Sequence, residues 1–337
     1  GANAKVGQGE ILVAEADESD GSFLVLSPTI AVVTNIDQEH MDHYGSMRAI
    51  RRTFIDFVNK LPFYGIAILC LDNEAIQGIL PRLRKRCLTY GMNSQADLRA
   101  LDLEKKAGGT RFEVVYQDRS LGRIAVGMPG EHNVLNALAA VGVGLELDLK
   151  MEVIKKGLKA LGGLSRRLQI KSEVNGILFV DDYGHHPTEI SATLKTVKEC
   201  WPERRMMVIF QPHRYTRTRD LFERFVVCFN DADILMVSPV YPAGEAPIEG
   251  VSSKRLCQGI KEHGHKEVFC YENTDDLLRF LWPLMETGDL ILTLGAGDIH
   301  KTGDTIQNRM RKQKATHRGK PDSDAESWTS HRKGTSK

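Results

Sequence analysis

Short apolar runs alternate with amphipathic stretches along most of the chain. That is the rhythm of strands buried on both faces and joined by helices. Residues 11–14 and 30–34 read as buried parallel strands, and residues 66–71 as a third. Residues 47–61 have helical spacing and stop at Pro62, and residues 73–83 read as another helix. From residue 98 to 126 the pattern changes. Residues 112–116 and 124–126 look like strands of a small antiparallel insert, with turns at Gly108-Gly109 and at Gly122. Helices follow over 132–147 and 151–161.

Gly162-Gly163 and Ser165 mark a domain boundary, after which the rhythm restarts. Strands are expected at 177–180, 206–210, 234–237, 268–271 and 290–294, with helices beginning near Pro187, Arg219, Ser253 and Asn273. Such alternation means parallel sheets with right-handed crossovers. The fold class is therefore α/β. A mostly parallel domain with the antiparallel insert spans 1–164, and a Rossmann-like domain spans 165–310. Sites are expected at the carboxyl ends of the strands. Residues 311–337 are Lys, Arg, Ser, Thr, Gly and Asp with one Trp. They hold too little apolar surface to offset ordering and read as a disordered polar tail.

Composition narrows the classes. With 42% hydrophobic and 26% charged residues, the 337-residue chain can fill two ordinary cores. A net charge of +1 gives no global pull toward nucleic acid or an anionic membrane. No apolar run spans a bilayer and no signal peptide opens the chain, so a cytoplasmic location is expected. The first residue is Gly1 rather than Met, as in a fragment, a trimmed chain or one that has lost its Met. Cysteines at 70, 87, 200, 228, 257 and 270 form no C-x-x-C pair. They fit scattered buried thiols in a reducing compartment rather than a zinc knuckle or redox motif.

Candidate chemistry lies just past the expected strands. Glu15-Ala16-Asp17-Glu18-Ser19-Asp20 follows the first without a spacer, and carboxylates there suit Mg²⁺. His40, within Thr34-Asn35-Ile36-Asp37-Gln38-Glu39-His40, stands at an equivalent strand end. Glu15 and His40 are thus a candidate metal pair, against the plainer reading of solvated acidic turns. Asn133, in Gly130-Glu131-His132-Asn133, either caps a helix or meets a nucleotide at its positive end. Arg166-Arg167 at the domain junction either forms salt bridges or reaches a phosphoryl group.

The densest stretch is Val180-Asp181-Asp182-Tyr183-Gly184-His185-His186-Pro187, with Pro187 at the permitted first turn of a helix. Gln211-Pro212-His213-Arg214-Tyr215-Thr216-Arg217 follows the next strand and suits a carboxylate or diphosphate. It is too short, in too balanced a chain, for a nucleic-acid patch. Gly295-Ala296-Gly297-Asp298-Ile299-His300-Lys301-Thr302 imitates a phosphate loop, but His300 stands where Gly must precede the Lys. It reads as a turn into the last helix.

In this order the clusters resemble the Mur ligases, over essentially residues 1 to 310. The first four look like that family's central ATPase domain. The Asp181, Gln211, Tyr241-Pro242-Ala243-Gly244-Glu245 and Gly295 stretches look like its C-terminal domain. The resemblance implies ATP-dependent ligation of L-alanine to UDP-N-acetylmuramate through an acyl phosphate, in peptidoglycan synthesis. A closing C-terminal domain would shield that intermediate from water. The family's murein tripeptide-recycling ligase, or a non-catalytic substrate-binding remnant, are the alternatives.

By the same resemblance, Glu15 and His40 hold Mg²⁺, and Asn133, Arg167 and Asp182 serve ATP and catalysis. His185 joins the catalytic set, and with Arg214 and Arg217 it faces the UDP-sugar or the alanine. Glu39 departs mildly from the family's usual Asp. The family's UDP-binding N-terminal domain and its Gly-Lys-Thr loop do not appear, so the chain is expected to be incomplete for catalysis alone, with a separate N-terminal half as one candidate partner.

Overall fold

The computed structural model describes residues 4–161 and 163–318 of the chain. Two units separate along it. One runs through Glu104 and includes Arg111–Ala125 and His132–Ala160. The other holds Lys105–Thr110, Val126–Glu131 and the residues from Leu161 onward.

The first unit is built on a six-stranded sheet in simple sequence order. Its strands are β1 (Ile30–Val33), β2 (Ile66–Cys70), β3 (Arg86–Gly91), β4 (Leu98–Lys106), β5 (Gly109–Tyr116) and β6 (Arg119–Val126). The pairs from β1 to β4 are parallel. All five residues of β2 are buried, as a strand covered on both faces requires. The short helix α1 (Met41–Tyr44) precedes α2 (Met47–Asn59). Ser46 starts α2 by accepting from the Ala49 amide at 3.3 Å, and the helix buries Ile50, Phe57 and Val58. The next helix, α3 (Glu74–Ile79), is capped by Asn73, which accepts from the Ile76 amide at 3.0 Å. Helices α4 (Glu131–Glu146) and α5 (Met151–Ala160) complete the order.

Two expectations fail here. Residues 11–14 form no strand: Leu12 and Val13 are 89% and 90% exposed, and the sheet begins at β1. Apolarity marks what a segment can bury, but a strand also needs a partner's backbone groups. Gly122 lies inside β6 rather than in a turn. The reversal is made by Gln117 and Asp118, both with positive φ (47° and 61°), which matches the right-handed twist of a two-residue hairpin.

The second unit holds β7 (Gln169–Val174), β8 (Ile177–Asp182), β9 (Met206–Phe210), β10 (Ile234–Val237), β11 (Val268–Cys270) and β12 (Leu290–Leu294). Their order is β11-β10-β9-β12-β8-β7, parallel except for the antiparallel edge pair β7–β8. Strand β7 was not anticipated, because an edge strand reading Gln-Ile-Lys-Ser-Glu-Val is mostly polar.

Alternation along β9 explains the layers. Met206, Val208 and Phe210 point to one core, and Met207 and Ile209 to the other. The first core is closed by α6 (Pro187–Cys200), α8 (Phe222–Phe225) and α9 (Ser253–Glu262), with α7 (Tyr215–Asp220) just before α8. The second is closed by α10 (Thr274–Leu281) and α11 (His300–Arg318). Helix α7 begins at Tyr215, earlier than the expected Arg219, because the left-handed Arg214 (φ 72°) turns the chain into it.

Helix α11 also corrects the expected tail. It continues through Arg318, and the rest of the proposed tail, 319–337, lies outside the described residues. Nor are all six cysteines separate thiols. Cys257 in α9 and Cys270 in β11 form a disulfide, leaving Cys70, Cys87, Cys200 and Cys228 free. No sequence motif announces that pairing, since the packing of α9 on β11 creates it. Among the described residues, no helix is long and apolar enough to cross a membrane.

Candidate functional site

In the first unit, the turns that follow residues 11–14 and β1 gather two carboxylates and an imidazole. His40 Nε2 lies 3.9 Å from Glu18 Oε1 and 3.9 Å from Glu39 Oε2. Ligand atoms from the three residues all fall within 4.8 Å of one another. His40 takes a left-handed conformation (φ 53°) at the start of α1, which turns its ring back toward the acids. Tyr44, one turn on, donates its hydroxyl to the Glu18 carbonyl and anchors the acidic loop. Asp17 stiffens the same loop by accepting from the Ser19 amide at 2.9 Å. That bond holds the Asp17 carboxyl below its ordinary range. A cavity of about 30 Å³ lies among Glu18, Asp37, Glu39, His40 and Tyr44. It has the capacity for one ion or water.

The structure brings together only one member of the expected pair. His40 is in the cluster, but Glu15 is exposed and outside it, and Glu18 takes its place. The reason is local: without a strand at 11–14, Glu15 is not held at a strand end. The donor set suits a hard divalent cation that tolerates one nitrogen ligand. Asn133 sits in the first turn of α4, 9% exposed, with its amide nitrogen 3.1 Å from His132 Nε2. Its position is that of a group at a positive helix end.

In the second unit, polar groups converge at the carboxyl ends of β8, β9, β10 and β12. At the end of β8, Asp182 is 4% exposed and accepts from the amides of Leu168 and Gly184, both at 2.8 Å, and from Thr193 Oγ1 at 3.1 Å. Burial raises its pKa, against those amides and the charge of Arg167. Asp182 thus ties the junction segment to the turn that carries His185. That turn is fixed again by Glu189, which accepts from the amides of His185 at 3.0 Å and His186 at 3.2 Å. Burial alone would raise the Glu189 carboxyl, but His185, these amides and Arg167 bring it below its usual value. His185 Nδ1 lies 3.1 Å from the Tyr183 carbonyl. Arg167 is more open, with Nη1 3.7 Å from Glu189 Oε1 and its guanidinium 5.5 Å from the centre of the Tyr183 ring.

Past β9, His213 pairs with Tyr241 across an isolated parallel bridge, one residue out of step with the β9–β10 register. Arg214 donates its amide to the Tyr241 carbonyl, and Tyr241 donates to the Pro212 carbonyl, both at 2.8 Å. Arg217 Nη1 lies 3.3 Å from His213 Nδ1. The loop after β10 also supplies Glu245, which accepts from the Thr216 amide at 3.0 Å and from its hydroxyl at 2.6 Å. It thereby sets the start of α7 beside Arg214. Burial, then the nearby charges of His185, Arg217 and Arg214, depress the His213 pKa to about 4. His213 is therefore a neutral imidazole near pH 7.

His185, Arg214 and Arg217 thus share one end of the sheet, as expected. Sequence reading gave no individual role to His213 or Tyr241, and Arg166 only the shared one of a junction arginine. Their only signal was membership of the Gln-Pro-His-Arg, Tyr-Pro-Ala-Gly-Glu and Arg-Arg stretches.

The chain is thus an α/β protein of two units, the first with a carboxylate–imidazole cluster and the second Rossmann-like with histidines and arginines at its strand ends. The Mur ligase middle domain matches residues 2–144, and the Mur ligase, glutamate ligase domain matches residues 166–297. The chain belongs to the Mur ligase family. Its relatives include a UDP-N-acetylmuramate–L-alanine ligase of Geobacter sulfurreducens, 55% identical over 91% of this chain and 66% of its own. Another of the same name, from Desulfatibacillum aliphaticivorans, is 53% identical over 91% of this chain and 67% of its own. The chain thus spans about two thirds of the length of these relatives. The crystal structure of a UDP-N-acetylmuramate-alanine ligase from Thermotoga maritima shares the fold. Its TM-score is 0.69 at 24% identity, over 88% of this chain and 63% of that one.

Proposed function

We propose that this chain carries the metal, nucleotide and amino-acid sites of an ATP-dependent ligation of L-alanine to UDP-N-acetylmuramate, in peptidoglycan synthesis. The observation that most supports the reading is the gathering of His185, His213, Arg217 and Tyr241 at neighbouring strand ends. In this reading ATP phosphorylates the lactyl carboxylate, and the alanine amine attacks the acyl phosphate.

The residues divide the work by chemistry. Arg214 and Arg217 receive the alanine carboxylate, for which a guanidinium is the matched partner. His185, oriented by the Tyr183 carbonyl, takes the proton that the alanine ammonium must lose before its nitrogen can attack. Asp182 keeps that turn in place. Arg167 offsets charge on the transferring phosphoryl group, and Asn133 meets the nucleotide. Glu18, Glu39 and His40 would hold Mg²⁺, which when bound neutralises phosphate charge. The 337 residues contain no Gly-rich loop ending Gly-Lys-Thr. The ATP phosphates are then cradled by residues outside them, on the same polypeptide or on a separate N-terminal half. ATP and a nucleotide sugar as substrates fit a cytoplasmic reaction.

The test supplies the chain, with and without a separately made N-terminal half of a relative, with UDP-N-acetylmuramate, L-alanine and Mg-ATP. Phosphate release and ligated product are measured together. Stoichiometric, alanine-dependent product supports the reading. No product in either mixture sinks it, and product with murein tripeptide but not alanine redirects it to the recycling reaction.

A further inference from the structure

Arg166 has no direct line to the amino-acid pocket, yet its contacts organise one wall of it. Its backbone is left-handed (φ 59°), and its carbonyl accepts from the Tyr183 amide at 2.7 Å. From there the guanidinium spreads over three acceptors. Nε donates to Asp181 Oδ2 at 3.2 Å, Nη1 to the Gly297 carbonyl at 3.1 Å, and Nη2 to the Gly295 carbonyl. Its guanidinium carbon lies 4.9 Å from the centre of the Tyr183 ring. Asp181 is 1% exposed, and its second oxygen accepts from Thr293 Oγ1 at 2.6 Å. The loop after β12 is thus pinned by Arg166 on one side. Gln211 pins it on the other, donating to Asp298 Oδ1 at 3.0 Å and accepting from the Ile299 amide at 3.2 Å.

The pinned loop presses on the pocket at one point. A Cβ at Gly297 would fall 2.3 Å from Gln211 Oε1 and 2.8 Å from Tyr241 Cγ. The bare Gly297 backbone therefore lies against the Tyr241 ring. Tyr241 in turn lies on His213, whose ring centre is 5.6 Å from that of His185.

We propose that Arg166 is a positioning residue for the amino-acid pocket: through Gly297 it fixes the Tyr241–His213 stack, and with it the spacing of His185, His213 and Arg217. What the pocket binds rests on the ligase reading, but the mechanical link does not. Lysine cannot replace Arg166, because an ammonium offers no planar fork to reach Asp181 and two carbonyls at once.

The experiment follows His213 by NMR in the full chain with labelled histidine. In the wild type it titrates near the depressed value of about 4, facing His185, Arg214, Arg217 and Glu245. In Arg166→Lys the stack loosens and His213 gains water, so its titration moves up by about one unit toward the ordinary value near 6.5. His265, held low by burial in the segment before β11, is the internal control and keeps its position. Movement of His213 alone supports the proposal. An unmoved His213, or both histidines moving together as general loosening would produce, overturns it. Should Arg166→Lys not fold, Arg166→Met with Asp181→Asn removes the fork together with the charge it neutralises and is read the same way. Calorimetric titration with L-alanine separates the two readings. A wild-type chain that ignores alanine while its His213 still answers to Arg166→Lys keeps the link and counts against the ligase substrate.

Discussion

The imidazole of His213 lies flat on the ring of Tyr241, centroids 5.4 Å apart and planes within 10° of parallel. The two residues are 28 positions apart, and the parallel bridge between them brings them together. The contact keeps His213 half-buried among cations, and a pH dependence follows. The folded-state pKa of about 4 lies below the value near 6.5 expected for the unfolded chain. A depressed pKa means that the unfolded chain binds the proton first as pH falls. The stability contributed by neutral His213 is complete above about pH 6.5 and is lost as pH falls from there toward 4. Denaturant unfolding at a series of pH values should show this slope in the wild type and a weaker one in His213→Gln.

Asp182→Ala should destabilise the second unit severely. It leaves the amides of Leu168 and Gly184 and the Thr193 hydroxyl without their buried acceptor. At about 1–3 kcal/mol for each unsatisfied buried group, a loss of at least 3 kcal/mol is expected. Chemical denaturation measures it. A loss below about 1 kcal/mol would show that the carboxylate is not the clamp.

Divalent-ion binding separates Glu18 from Glu15. Isothermal titration with Mn²⁺ as probe should show affinity falling about 10-fold or more in Glu18→Gln and His40→Ala. Glu15→Gln, changing an exposed carboxylate outside the cluster, should bind almost as the wild type does. Equal losses at Glu15 and Glu18 would restore the pair suggested by sequence.

The Cys257–Cys270 disulfide closes a sequence separation of 13 residues. Thiol titration of the unfolded chain should find four thiols before reduction and six after. Reduction, or Cys270→Ser, should cost about 2–3 kcal/mol of stability, the range for a loop of this size. Six thiols in the unreduced protein would contradict the pairing.

Much of this architecture was legible in the chain itself. Runs such as Met206–Phe210 and Leu290–Leu294 are apolar at every or nearly every position, so they can only be strands covered on both faces. Pro187, Ser252 and Asn273 fix helix starts by local chemistry. The polar clusters at strand ends, and their order, gave the family. Each of these signals is local, and a local signal survives in one dimension.

What the tertiary structure decided is of the other kind. Residues 11–14 are apolar enough for a strand, but pairing depends on a neighbour and not on composition. The approach of Glu18, rather than Glu15, to His40 depends on the loop that replaces a strand at 11–14. The disulfide depends on α9 packing against β11, and the His213–Tyr241 stack on the register between two segments. Arg166 reads as one more junction arginine until its three acceptors, from β8 and from the loop after β12, are seen around it. Contacts between distant segments are set by how sheets and helices close on one another, and no pattern of neighbours along the chain encodes that geometry.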